Sequence, residues 1–228
     1  MRQRLRITYS VDGPLRYASH LDRTRIWERA ARRAGLPLVY SGGFHPRPRI
    51  QVAAALAVGF AADAEMVDMW LAEPAEPQAV QEALGEALPE GLAVLRVEEV
   101  DPSEPALQAR VWAAEYVVTV ETEEPAEDVR RLVEGLLAAQ SLPRQRRGRS
   151  YDLRPLVQRL WVEEERPQAV VLGMVLAAQE GATGRPEEVL DAAGLAGGFF
   201  RVRRRRLILL PHPAAGEFPQ LTNREFPL

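Results

Sequence analysis

Twice along this chain the spacing of apolar residues runs through the same order: strand, helix, strand, strand, helix, strand. In the first pass, residues 4–10 alternate Leu5, Ile7 and Tyr9 with polar side chains, the period of a half-buried strand. Asp12-Gly13-Pro14 makes a turn, and Ser19 opens a helix reaching Gly35, with Asp22 completing a capping box. A short strand over 36–40 follows, then strands over 50–58 and 65–71 paired as a hairpin, a helix over 77–88 and a strand over 92–100. The second pass places strands over 115–121, 156–164, 169–178 and 200–210 and helices over 126–140 and 186–193. The expected fold class is therefore α+β, with two tandem ferredoxin-like (βαββαβ) units and antiparallel sheets. The spacing assigns residues 1–100 to the first unit, the Pro-rich 101–112 to a linker, 113–210 to the second unit and 211–228 to a tail.

A chain of 228 residues is long enough to bury two such cores. Cysteine is absent, which removes disulfides and Cys-ligated metals and agrees with a reducing compartment. The opening MRQRLRITYSVDG has no apolar core and reads as no signal peptide. The longest apolar runs, 52–62 and 169–178, are too short to cross a bilayer as helices. A soluble, cytoplasmic protein with no membrane partner is expected. The net charge of −3 hides a segregation: residues 1–60 carry 11 Arg and 3 acids, 61–140 carry 4 Arg and 19 acids, and 141–228 carry 14 Arg and 10 acids. Such blocks give a folded surface separate basic and acidic faces that steer partners.

The stretch from Gly13 to Gly59 holds the chain's most unusual residues, an Arg-rich helix followed by a glycine pair and a His-Pro-Arg-Pro-Arg run. At about 100° per residue, the helix places Trp27, Ala30, Ala31 and Ala34 on one face and Arg25, Arg29, Arg32 and Arg33 on the opposite one. The arginine face reads equally as solvated surface, with Arg25 and Arg32 expected to matter least. His20 and Arg23 lie on or beside the apolar side. The following loop contains Gly42 and Gly43, which let backbone approach a ligand closely. Pro46 and Pro48 then stiffen an extended segment that projects Arg47 and Arg49 together. With Arg16, Ser19, His20, Arg23 and His45 these residues suit an anion: helix-start amides, backbone amides and guanidinium groups that keep their charge.

The corresponding segment of the second pass, residues 143–155, is also Arg-rich, with Arg147, Arg149 and Arg154 as candidate phosphate contacts. The two basic segments read either as the flanks of one cleft or as unrelated connectors. His20 and Tyr17 could serve as general acid–base groups of a metal-independent ribonuclease. His20, Asp22 and His45 could ligate a metal, but nothing in their spacing requires one, so neither metal nor cofactor is expected. In residues 201–206 (RVRRRR) alternation sends Arg204 and Arg206 to the side of Val202, which suits an edge strand or one facing a partner. Trp70, Trp112 and Trp161 sit in strands as core residues.

The sequence from Gly13 to Leu56 resembles the opening of a radical-SAM-associated bacterial family of unknown function. That family's pattern runs G-P-L-R-[FY]-x-S-H-L-D, then R-A-G-L-P, then Y-S-x-G-F-[NH]-P-[HR]-P. Here it falls on Arg16, Ser19, His20, Asp22, Tyr40, Ser41, Gly43, Phe44, His45, Pro46 and Pro48, and Tyr151-Asp152-Leu153-Arg154-Pro155 resembles a second family motif. His45 stands where Asn is the commoner residue, which argues against catalysis by its imidazole. The resemblance implies a radical SAM protein as partner and a setting in RNA metabolism. Because a radical SAM enzyme holds its cluster on cysteines, that chemistry would belong to the partner.

Three functions are compatible with these features. The first is a non-catalytic RNA-binding accessory protein that presents tRNA or rRNA to a radical SAM partner. The second is a metal-independent ribonuclease of the tandem ferredoxin-like type, and the third is a protein–protein adaptor.

Overall fold

The structure is a computed structural model and describes residues 2–210; the expected tail, 211–228, lies outside the described residues. The chain is a mixed α+β protein in which antiparallel strand pairing dominates and helices are few. It divides into two compact units. The first takes residues 2–111 together with Arg204–Leu207, and the second takes Trp112–Arg203 with 208–210.

In the first unit, β1 (Gln3–Val11) lies between β3 (Ala61–Leu71) and β4 (Leu92–Val100), antiparallel to both, with Leu5 opposite Met69 and Ile7 opposite Val67. A short β2 (Ile50–Val52) pairs with β3, as does the part of β11 (Phe200–Leu209) that belongs to this unit. Helices α1 (His20–Arg33) and α2 (Pro77–Ala87) supply Trp27, Ala30, Ala31, Val80 and Leu84 to the core with Leu5, Ile7, Tyr9 and Val67. Helix α1 forms where expected: Ser19 Oγ accepts from the Asp22 amide at 3.2 Å, and its hydroxyl donates to the Asp22 carboxylate at 2.7 Å. That bond, with help from Arg25, holds the Asp22 carboxyl below its ordinary range.

Strand β1 is buried on both faces rather than one. Its second face carries Arg4 and Arg6, and both reach the fully buried Asp68. Residues 101–110, most of the 101–112 segment read from sequence as a linker, fold onto this unit. The Glu104 and Pro105 carbonyls accept from Arg4 at 2.7 and 3.0 Å, and α3 (Leu107–Arg110) buries Leu107. The second strand, expected over 50–58, stops at Val52. Beyond it the carbonyls of Ala54 and Ala55 accept from Arg204, and that of Leu56 accepts from Arg23, so they are not presented to a neighbouring strand.

The second unit builds on β5 (Val111–Glu121) and β9 (Ala169–Gln179), paired in unbroken register from Ala113 opposite Ala177 to Glu121 opposite Ala169. Strand β8 (Val157–Arg166) forms a hairpin with β9, the two-residue β10 (Ala182–Thr183) extends it, and β11 lies beside β5. Helices α4 (Ala126–Ala138) and α5 (Pro186–Ala192) bury Val129, Val133, Leu136, Val189 and Leu190. The RVRRRR strand divides between the units, beside β3 in the first and beside β5 in the second. Arg204 is buried against Glu65 of β3, which meets the cost of an inward guanidinium.

Candidate nucleic-acid interface

In the first unit the loop between α1 and β2 is a closed, ordered feature. The Ser41 amide donates to the Arg47 carbonyl at 2.8 Å, the Arg47 amide donates to Ser41 Oγ at 3.0 Å, and Tyr40 pairs with Pro48. Gly43, at φ 105°, makes the turn at the tip that a side chain would resist. Everything from Tyr40 to Arg47 is exposed. Gly42, Gly43, His45 and Arg47 therefore share one solvent-facing tip. Arg49 is exposed as well, but its guanidinium lies over the buried Trp70 ring at 4.2 Å, with Arg4 at 5.0 Å from the same ring. Among the described residues the Arg47 guanidinium has no ion pair or hydrogen bond.

The helix start sorts its candidates into two groups. Arg16 donates to Tyr17 Oη at 2.8 Å and lies over the Tyr17 ring, which is 59% exposed; His20 is exposed as the first residue of α1, and Ser19 is its cap. Arg23, by contrast, is 3% exposed. One of its nitrogens donates to the Leu56 carbonyl while Nη1 is buried without a partner among the described residues, and burial lowers the pKa of the guanidinium. Arg23 thus packs inward near Tyr9 and Glu65, and a ligand at the surface does not meet it. On the opposite helix face Arg25 pairs with Asp22 at 3.4 Å and Arg32 with Glu28 at 3.7 Å, as solvated surface does.

In the second unit residues 143–152 form a β-hairpin rather than a loop, with β6 (Pro143–Arg146) paired to β7 (Arg149–Asp152). Arg147 and Gly148 make its turn with φ of 49° and 76°, the two left-handed residues that a tight hairpin requires. The hairpin is fastened at its base. Asp152 Oδ1 accepts the amides of Leu142 at 2.7 Å and Arg154 at 2.9 Å, and these bonds hold its carboxyl below the ordinary range. Arg154 donates to the Leu137 carbonyl at the end of α4 and to the Val157 carbonyl, while Leu153 is wholly buried. The Tyr-Asp-Leu-Arg-Pro motif is in this structure a clasp, with its arginine turned to carbonyls rather than to solvent.

Along the hairpin, Arg146 binds Glu188 of α5 and lies over Tyr151, and Arg144 faces Asp191 at 3.6 Å. Burial works against the Glu188 carboxylate, but the hydrogen bonds from Arg146 and Tyr151 prevail and lower its pKa. Arg147 and Arg149 remain exposed, with no ion pair or hydrogen bond from their guanidinium groups among the described residues. A separate cavity in this unit, about 660 Å³, is lined by Glu121, Glu123, Glu124 and Phe199, and its carboxylates suit no anion.

Sequence reasoning missed three things here: the hairpin, the full exposure of Phe44, and the buried carboxylates Glu65 and Asp68. A signal existed for the last of these. Arg6 and Asp68 stand directly opposite each other across β1 and β3, at matching parity in both strands.

The fold defines the class as an α+β protein with two compact units. The chain belongs to the bacterial family described as "Uncharacterized protein conserved in bacteria (DUF2344)", which matches residues 4–186. Among curated proteins nothing matches. A crystal structure of a Cbf5–Nop10–Gar1 complex is similar in fold, with a TM-score of 0.50 at 11% identity over 88% of this chain and 48% of that one. An H/ACA RNP bound to a substrate RNA containing 2′-deoxyuridine aligns with a TM-score of 0.46 at 11% identity, over 88% and 47%. An archaeal box H/ACA sRNP Nop10–Cbf5 complex aligns with a TM-score of 0.44 at 10% identity, over 88% and 47%. The chain spans about half the length of these solved chains, and at such identity the likeness concerns fold alone. No helix among the described residues is long and apolar enough to cross a membrane.

Proposed function

We propose that this protein binds RNA through exposed arginines on ordered loop tips and is an accessory protein rather than an enzyme. The observation that carries the reading is the sorting of arginines. Arg47, Arg147 and Arg149 stand in solvent on shaped tips without a carboxylate partner among the described residues. Arg4, Arg6 and Arg204 are neutralised inside. A guanidinium left uncompensated on a fixed backbone is a phosphate contact that needs little further ordering. The strand order β4-β1-β3-β2 of the first unit, and β8-β9-β5-β11 in the second, supports the reading as two ferredoxin-like units. The cytoplasm is the compartment this reading assumes. The family resemblance supports a radical SAM protein as partner, and a chain without cysteine leaves any iron–sulfur cluster to that partner.

Fluorescence-polarisation titration of a structured RNA such as tRNA at several salt concentrations tests this. Binding should weaken steeply with salt, and replacing Arg47 and Arg49 together by Ala should shallow the log–log slope by up to about two units. A salt-independent affinity would overturn it. Metal-independent cleavage of the RNA that vanishes in Tyr17→Phe or His20→Ala would make the protein a nuclease instead.

A further inference from the structure

We propose that the tip of the 41–47 loop is a stacking platform for an unpaired nucleobase, with Phe44 as its face, so that the RNA recognised is single-stranded at this point. This rests on the RNA-binding reading above and narrows it to a class of substrate.

Single exposed apolar residues are common and mean little by themselves. Phe44 differs in three respects. It is 102% exposed, with the whole ring in water, yet the loop that carries it is closed at the neck by the two Ser41–Arg47 bonds and the Tyr40–Pro48 pair. Its exposure is therefore built into a shaped loop. Secondly, Tyr17, Tyr151, Trp161 and Phe199 each carry an arginine of this chain over the ring, at 4.8, 4.9, 5.1 and 5.3 Å. Phe44 has no such partner among the described residues, which leaves both π-faces open.

The third respect decides the occupant. A protein partner's apolar groove needs a contiguous apolar patch, but Phe44 is flanked along the chain by Gly42, Gly43, His45, Pro46 and Arg47. An isolated aromatic face beside a cation and an imidazole is complementary to a base joined to a phosphate. Every base offers a π-face, so stacking of this kind tolerates sequence while excluding paired bases, whose faces are already covered. The same tip thus supplies a phosphate contact in Arg47 and a base contact in Phe44.

The full chain is titrated with a fluorescein-labelled oligoadenylate and with a blunt RNA duplex of the same length, as wild type and as Phe44→Ala, Phe44→Trp and the Arg47→Ala/Arg49→Ala pair. Circular dichroism verifies folding. Phe44→Ala should weaken single-strand binding by about tenfold and leave duplex binding and the salt slope unchanged. Phe44→Trp should keep the affinity, and its added indole emission should be quenched by the single strand. The arginine pair should weaken both RNAs and shallow both slopes. If Phe44→Ala binds the single strand as the wild type does while the arginine variant fails, the stacking platform is wrong and the RNA reading stands. If Phe44→Ala weakens both RNAs equally, the preference for unpaired bases is wrong. If the wild type binds neither RNA, both readings fall together.

Discussion

Two sets of arginines in this molecule differ only in where the backbone places them. On strands β1 and β11, Arg4, Arg6 and Arg204 are buried and meet Asp68 or Glu65 at ion-pair distance. On the loop and hairpin tips, Arg47, Arg147 and Arg149 are exposed and meet no carboxylate among the described residues. A charge taken out of water without compensation costs several kcal/mol, so an inward arginine commits an acid elsewhere in the chain. An outward arginine on a fixed tip has no such demand and keeps its field for a partner. The contrast also corrects the arithmetic of charge blocks. Of the 11 arginines in residues 1–60, Arg4, Arg6 and Arg23 are buried, so the net charge of that block overstates the basic surface it presents.

The largest expected effect is on the buried set. Asp68→Ala leaves Arg4 and Arg6 without their shared carboxylate and should cost about 3–5 kcal/mol in urea denaturation. A loss below about 1 kcal/mol would mean that these guanidiniums find water after all, and the contrast would break. Next comes the clasp of the basic hairpin. Asp152→Ala removes the acceptor for two backbone amides, and Glu188→Gln removes the charge that holds Arg146. Either variant should speed tryptic cutting within residues 144–149, whereas Arg25→Ala should not.

Acid should loosen the same clasp. Both carboxyls have native pKa values below their ordinary 3.8 and 4.5, so the stabilisation is present above those values and is lost as pH falls through the lowered ones. Limited digestion with pepsin across this window should show the hairpin opening before the first unit unfolds. Smallest of all, Arg47→Ala should change stability by no more than about 0.5 kcal/mol, although it is expected to weaken RNA binding. A larger loss would place that guanidinium among the structural ones.

The parts of the fold that depend on neighbours in sequence were legible. The cap at Ser19 and the Trp27–Ala30–Ala31 face follow from spacing over a few residues, and the structure has them. What escaped depends on distant partners. The second strand is cut short by carbonyl contacts from Arg204, about 150 residues away in the chain. In the 101–112 segment, the contacts that hold it are likewise distant: the Glu104 and Pro105 carbonyls receive Arg4, about 100 residues away in the chain. The 143–152 hairpin was hidden by an Arg-Gly turn, where the usual signal is Asn or Asp before the glycine. At the site, sequence singled out Gly42, Gly43, His45 and Arg47, and the structure places them together on one exposed tip. It could not mark Arg23 as internal, because nothing local says that Leu56 will offer a carbonyl to it.

The pairing of Glu65 with Arg204 has a consequence for biosynthesis. The two residues are separated by 139 positions, and Arg204–Leu207 belong to the first unit although the entire body of the second unit is translated in between. A ribosome that has released residues 2–111 has delivered a sheet whose buried glutamate still lacks its cation. That unit must wait, with an acid it cannot bury cheaply, until the final strand emerges. Fragments ending near residue 111 should accordingly be poor expression products, while a permuted chain that begins at residue 200 and continues into Gln3 should let the first unit mature as soon as it is made.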